Sequence, residues 1–264
     1  MDRQNLKTYL QKIQQLIPTS WLEKIQYIHS LVLFKWIVLG GSKQLKFSQK
    51  SAMVFSPHQD DETFGCGGMI AHKREQNIPV IVVFLTNGQG SGDLDKNSRQ
   101  QIIQTRKKEA VTALQILGVE LSKIHFLAKP DGRLQNLNDR EWQQTINQVA
   151  ELIKCYQPGE VYVPHRKDCH TDHEATYKLV KAAIAQTNLA IELLQYPIWL
   201  FWRAPLFILL KLQDIASAYC LSITAVQAKK QRAIASYSSQ VGSLPRGFVK
   251  HFSSSYEIFF KTES

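Results

Sequence analysis

The sequence predicts an α/β protein with an open, mostly parallel sheet and helices on both faces. Two observations carry this. From Ser51 onward short apolar β-type runs alternate with longer helical patterns, and residues 80–85 (VIVVFL) are apolar throughout, as a strand covered on both faces must be. The links between these runs are short, which favours repeated β-α units with parallel pairing. Ala52–Ser56 reads as the first strand, 68–75 as a helix and 80–85 as the second strand. A helix over 98–117 is stopped by Gly118, and 123–127 forms the third strand. Residues 139–155 are helical, 160–163 are the fourth strand and 172–185 a further helix. Beyond Ala190 the pattern is less regular: a strand at 190–195, an apolar segment at 196–212, helical stretches to about Ser236 and a final strand near 256–260.

Length and composition narrow the class further. At 264 residues and 44% apolar content the chain can bury a core without disulfide staples, and 20% charge is ordinary for a globular protein. Residues 51–264 read as a single domain, preceded by a basic, partly apolar extension over 1–50. Cys66, Cys155, Cys169 and Cys220 show no C-x-x-C spacing, so reduced thiols and a cytoplasmic setting are expected. The polar start MDRQNLKTYLQKIQQ lacks the apolar stretch of a cleavable leader. The runs 31–39 and 198–210 each fall short of the roughly 20 apolar residues that span a bilayer.

The net charge of +10 is unevenly placed. Residues 1–50 and 193–256 each carry +6, whereas 51–192 carry −1. A neutral centre with basic flanks suits an anionic partner, and a solvated surface would look the same. No nucleic-acid recognition motif accompanies the charge, so nucleic acid is not an expected partner. Oligomeric state is not legible.

A Rossmann-like sheet of order 3-2-1-4 binds its ligands outside the carboxyl ends of strands one and four. Pro57, His58, Gln59, Asp60, Asp61 and Glu62 follow strand one, and PHRKDCHTDH at 164–173 follows strand four. The adjacent carboxylates of Asp60 and Asp61 repel each other unless a cation is near. A metal supplies one: His58, one aspartate, and His170 or His173 can form a His/Asp/His set with an open position, the pattern of a catalytic zinc. Either cluster alone is common on surfaces; their placement at two adjacent strand ends is the stronger signal. His29, His72, His125 and His251 lack such company and read as surface or packing residues, and His165 lies near the cleft with no required role.

SPHQDDETFGCGG at 56–68 together with DCHTDH at 168–173 resembles the PIG-L/LmbE-like family of metal-dependent N-acetylglucosaminyl deacetylases, whose motifs are P-H-P-D-D-E and H-x-D-H. TNG at 86–88, TRKKEAVTALQILGV at 105–119 and KKQRAIASYSSQ at 229–240 add to the likeness, which covers roughly 51–245. Gln59 departs from the family's usual proline. The resemblance implies that His58, Asp61 and His173 bind zinc, with Fe2+ suiting the same donors. It implies Asp60 as the general base for the attacking water, and His170 as a charged group that stabilises the oxyanion. Asp172 would hydrogen-bond and orient His170, and Arg106 would contact substrate, with Glu109 as its structural neighbour. The reaction implied is hydrolysis of the acetamide of an N-acetylglucosamine-type amino sugar, on a lipid-linked or other glycoconjugate carrier.

Three other readings are weaker. A dinucleotide-binding protein is suggested by GCGG at 65–68, but Ile70 stands where the third glycine belongs, and strand two ends in Thr86 and Asn87 without an acidic residue for ribose. A non-catalytic sugar- or lipid-binding module on the same fold would not need Asp60. A metal-dependent amidase for another N-acyl compound would need the same residues. Finally, IWLFWRAPLFILLKL at 198–212, with Trp199, Trp202, Arg203 and Lys211, and the run 31–39, with Lys35 and Trp36, have the composition of interfacial anchors. Exposed, they would seat the protein peripherally on an anionic membrane; packed on the sheet, they would be core.

Overall fold

The computed structural model describes residues 17–90, 95–205 and 208–261. Among them the sheet has eight strands: β1 (Lys43–Gln44), β2 (Ala52–Ser56), β3 (Val80–Thr86), β4 (Ile124–Lys129), β5 (Glu160–Pro164), β6 (Glu192–Tyr196), β7 (Ala218–Ser222) and β8 (Tyr256–Lys261). Their order across the sheet is β1-β7-β8-β6-β5-β2-β3-β4. The stretch β4-β3-β2-β5 is the expected 3-2-1-4 arrangement, with β2 parallel to both β3 and β5. β6 continues the parallel set, while β8 runs antiparallel to β6 and β7.

The apolar run of β3 is explained by its position. Val80, Val82 and Phe84 enter one buried cluster with Ala52 and Val54 of β2, whereas Ile81, Val83 and Leu85 enter another with Met53 and Phe55. Successive side chains point to opposite faces, and both faces are covered, so every position is apolar. The first face is covered by helices α2 (Asp61–Glu75), α3 (Lys96–Leu117) and α8 (Gln227–Ala235), and the second by α4 (Asp139–Tyr156) and α5 (Thr171–Ala185).

Two differences from the sequence reading have physical causes, and one alternative it left open, core or anchor for 198–212, is decided. The helix expected over 68–75 begins at Asp61, so all of GCGG lies inside α2. Its glycines allow close packing: a Cβ on Gly65 would lie 2.3 Å from the Tyr196 ring, and one on Gly68 would lie 2.5 Å from Ile223. The helical stretch expected before Ser236 contains a strand, β7, because AYCLS finds a partner in β8 across 34 or more residues of chain, a pairing local pattern cannot display. The apolar segment around 198–212 is largely core: Ile198, Leu200, Phe201, Trp202, Leu209 and Leu210 are buried, forming a short helix α6 (Leu200–Arg203) against β7 and β8. Leu206 and Phe207 of that segment lie outside the described residues. Trp199 stacks on Phe248, and Arg203 lies over the Trp199 ring at 3.8 Å, so the tryptophan-basic composition serves internal packing.

Within the 1–50 extension, residues 1–16 lie outside the described residues. The remainder forms helix α1 (Thr19–Trp36), which packs on α6 and on α10 (Arg246–Phe252), and β1, which pairs with β7. No described helix is long and apolar enough to cross a membrane.

α2 carries the Asp-Asp motif at its first turn and is fixed by a buried ion pair. Lys230 Nζ of α8 lies 2.7 Å from both the Phe64 carbonyl and Glu257 Oε1 of β8. Glu257 in turn accepts from the backbone N–H groups of Gly68 and Met69 at 2.6 and 2.8 Å. The pair therefore grips α2 at both members of its 64/68 helical step.

Candidate active site

β2 and β5 are adjacent, so the residues leaving their carboxyl ends meet. Just after β2, Asp60 occupies the N-cap position of α2 with φ 153° and ψ −32°, a positive-φ conformation that an aspartate holds only under constraint. This bend turns His58 and Asp61 toward each other. After β5, His170 is the N-cap of α5, its Nδ1 accepting the Asp172 backbone N–H, and His173 lies in the first turn.

His58 Nδ1 lies 3.0 Å from Asp61 Oδ2, and His173 Nε2 lies 3.2 Å from the same oxygen. The latter contact lacks hydrogen-bond alignment, which leaves His173 Nε2 buried and without a hydrogen-bond partner. Each imidazole is held from behind. His173 Nδ1 donates to Asp168 Oδ2 at 2.7 Å, and His58 Nε2 faces Asp131 Oδ1 at 3.2 Å and Asp172 Oδ2 at 3.3 Å. Those carboxylates hold His58 Nε2 and His173 Nδ1, so His58 Nδ1 and His173 Nε2 face Asp61; a cation that displaced their protons would meet both nitrogens and the carboxylate, the carboxylate–histidine arrangement of a metal site. Nitrogen atoms of His58, His170 and His173 also lie within 4.8 Å of one another, as do donor atoms of His58, Asp131 and Asp172. Asp60, Asp61, Asp131, Asp168 and Asp172 crowd three histidines and Arg106, so the donor set and its charge fit a divalent metal at His58, Asp61 and His173.

The same proximity shifts the titrations. Burial opposes charge on His58, but Asp131, Asp172 and Asp61 outweigh it and hold the imidazole well above its ordinary value. Burial likewise opposes charge on His173, and Asp61 and Asp168 lift it to about 9. Asp61 is driven the other way: burial alone would raise it, but His173 and His58 keep it far below the usual carboxylate range. Asp60 is raised, by burial and then by the charge of Asp61.

A cavity of about 270 Å³ opens over this cluster, lined by His58, Asp60, Asp61, Arg106, Asp131, His170 and Trp199 among others. All seven residues singled out in the sequence are therefore at one place, six of them around the His58/Asp61/His173 set and Arg106 in the wall, 3.9 Å from Asp131. Two expectations change. The Asp172 carboxylate does not hold the His170 ring; it accepts from the Gly132 and Leu134 backbone N–H groups at 2.7 and 3.0 Å and faces His58. Its link to His170 runs through its backbone N–H. His170 is also not cationic: burial and the neighbouring His173 and His58 push it down to about 3, and with Nδ1 accepting, its proton sits on Nε2.

Sequence reasoning missed Asp131, which reaches His58 from the segment after β4, and Asp168, which is buried and also accepts from the backbone N–H groups of Ile198, Trp199 and Leu200. Asp168 sits two residues before His170, and its total burial is the signal that sequence could not carry. Gln59 ties the motif down where proline was expected: its side-chain amide donates to Thr86 O at 2.8 Å, and its backbone carbonyl accepts from Gln240 Nε2 at 2.6 Å. Glu109 accepts from Ser238 and Ser239, holding the start of α9 (Ser238–Val241) beside the cavity.

A doubly wound α/β sheet with a convergent His/Asp donor set beyond its central strands defines the class of protein. The chain belongs to the family described as PIG-L, GlcNAc-PI de-N-acetylase, whose model matches residues 53–184. It is 26% identical over 146 residues to a probable N-acetyl-alpha-D-glucosaminyl L-malate deacetylase 2 of Bacillus anthracis, covering 52% of this chain and 61% of that protein. It is 29% identical over 157 residues to the 4-oxalmesaconate hydratase of Pseudomonas putida, covering 56% of this chain and 57% of the hydratase. The match thus spans about three fifths of each relative's length. The fold is similar to that of the N,N'-diacetylchitobiose deacetylase of Pyrococcus horikoshii, with a TM-score of 0.57, 21% identity, and coverage of 79% of this chain and 78% of that one.

Proposed function

We propose that the protein is a zinc-dependent N-deacetylase that hydrolyses the acetamide of an N-acetylglucosamine-type amino sugar, carried on a lipid or another glycoconjugate, to acetate and a free amine. The observation that carries this reading is the convergence of His58 Nδ1, Asp61 Oδ2 and the orphaned His173 Nε2, with Asp60 beside them in the cavity wall. Ferrous iron suits the same donors. The named activity of the Bacillus relative agrees with it. Four free thiols, two of them buried, suit a reducing compartment such as the cytoplasm.

When bound, the metal supplies Lewis acidity toward water and the acetyl carbonyl. Asp60 takes a proton from the water as its oxygen attacks the carbonyl carbon, and returns it to the nitrogen as the C–N bond breaks. Its raised affinity for protons is the direction such a carrier needs. His170 acts as a neutral donor, offering its Nε2–H to the oxyanion, so its role is hydrogen bonding rather than charge. Asp168 and the pair Asp131/Asp172 fix the tautomers of His173 and His58. Arg106 reaches the cavity from α3 and would contact the sugar.

The test is acetate release from a panel of N-acetylglucosaminyl compounds by the metal-loaded protein. Asp60→Asn should keep its metal and lose about a hundredfold or more in turnover, while His58→Ala and His173→Ala should lose metal as well. Folded, metal-loaded protein that releases acetate from none of them would overturn the reading. The hydratase relative supports a second use of the same groups, addition of water to a carbon–carbon double bond. Loss of 4-oxalmesaconate absorbance, with no acetate from the sugar panel, would favour it.

A further inference from the structure

α1 turns opposite faces inward and outward. Leu33 and the following Ile37 are buried, Tyr27 packs on Trp202, and Phe34 meets His251 edge-on with ring centroids 4.7 Å apart. On the other side Trp21, Ile25, Ile28, Val32 and Trp36 are 66, 53, 60, 58 and 44% exposed. With 3.6 residues per turn and 1.5 Å rise, these five fall within an arc of about 80° and run about 22 Å along the axis. Leu39, 82% exposed, extends the stripe past the helix end. A contiguous apolar strip of this length on an outward face is not the scattered surface exposure of an ordinary monomer.

Its chemistry indicates what covers it. Tryptophans stand at both ends of the stripe on α1, and Lys24 and Lys35 border one side of it. Beside the N-terminal half of α1 lies a cavity of about 690 Å³ whose wall includes Lys24, Tyr27, Trp202, Arg246 and Lys250. That cavity shares Ser243 and Leu244 with the one over the His/Asp cluster, so both open along the same side of the molecule. A second copy of this chain would bring one lysine-bordered face against another, whereas a negatively charged surface complements it.

We propose that the outer face of α1 seats the protein on an anionic lipid bilayer. Trp21, Ile25, Ile28, Val32 and Trp36 enter the boundary between headgroups and acyl chains, and Lys24, Lys35, Arg246 and Lys250 meet the lipid phosphates. Of the two segments the sequence suggested, the run 31–39 contributes Val32, Lys35, Trp36 and Leu39 to this surface, whereas residues 198–204 support α1 from within. The proposal does not depend on the reaction assigned to the His/Asp cluster.

Co-sedimentation of the full chain with phosphatidylcholine vesicles, with and without phosphatidylglycerol, tests it. Binding is expected only with phosphatidylglycerol, falling as salt is raised, with a blue shift of tryptophan emission. The double variant W21S/W36S and, separately, K24E/R246E should each weaken binding by about tenfold or more, with unchanged circular dichroism and unchanged cleavage of any water-soluble substrate. The proposal is overturned if the wild type fails to bind phosphatidylglycerol vesicles at low salt, or if W21S/W36S binds them as well as the wild type. It is also overturned if the wild type is a dimer that W21S/W36S converts to a monomer with no vesicle binding by either form, which would assign the stripe to a second copy.

Discussion

Asp60 should matter more to the reaction than to the fold, and replacing it by glycine should separate the two. Its backbone stands at φ 153° and ψ −32°, where a side chain is strained and glycine is not. The hydrogen bonds that anchor it run through the backbone: its N–H donates to Glu62 Oε2 at 3.1 Å, and its carbonyl accepts from Thr63 and Phe64 at 3.0 and 2.9 Å. Glycine keeps all three. Relief of strain is worth about 1–3 kcal/mol, and the greater freedom of glycine in the unfolded chain costs about 0.5–1 kcal/mol, for a net gain of about 0–2.5 kcal/mol and a midpoint of about 1 kcal/mol. For a chain of this size the midpoint is a rise of roughly 2 °C in Tm, with an upper end of about 5 °C. Acetate release should meanwhile fall by about a hundredfold or more. Asp60→Asn is the control, since it removes the charge beside Asp61 but keeps the strained backbone. Thermal unfolding of metal-free wild type, Asp60→Asn and Asp60→Gly, followed by circular dichroism, reads the result. If Asp60→Gly is no more stable than Asp60→Asn, the backbone is not strained and the argument fails.

Lys230→Met should cost about 3–5 kcal/mol in urea unfolding by leaving Glu257 buried without its cation, and Lys230→Met/Glu257→Leu should recover only part, because Gly68 and Met69 then lose their acceptor; a loss below about 1 kcal/mol in the single variant would contradict this. Gly65→Ala should lose about 1–3 kcal/mol, since its Cβ would meet a Tyr196 ring pinned by a 2.8 Å hydrogen bond to Phe55 O; unchanged stability would mean that α2 shifts freely. His251, packed among Phe34, Phe201 and Phe252, is pushed down to about 4 by burial and then by Lys230. Below about pH 6.5 the unfolded chain takes up a proton that the folded protein refuses, so stability should fall between pH 6.5 and 4 and His251→Phe should flatten that part of the profile; an equal slope in the variant would place the titration elsewhere.

The strand order around β2 and the meeting of the two polar clusters were legible because their signals are local. A strand covered on both faces must be apolar at every position, as 80–85 is, and two polar clusters directly after β2 and β5 must meet once those strands pair. What depends on distant partners was not legible. AYCLS becomes β7 only because β8 lies beside it, and GCGG becomes helix only because Tyr196, Ile223 and Lys230 press against it. Segments 31–39 and 198–212 share the composition of an anchor, yet 198–212 is largely core while Val32, Trp36 and Leu39 face outward, since composition does not say which side of a segment the rest of the chain covers. Likewise the sequence alone named His58, Asp60, Asp61, His170, Asp172 and His173. Only the tertiary structure decided which carboxylate holds which imidazole and that burial depresses His170, because hydrogen-bond partners and titration depend on distances of a few ångströms, including those between segments as far apart as His58 and Asp131.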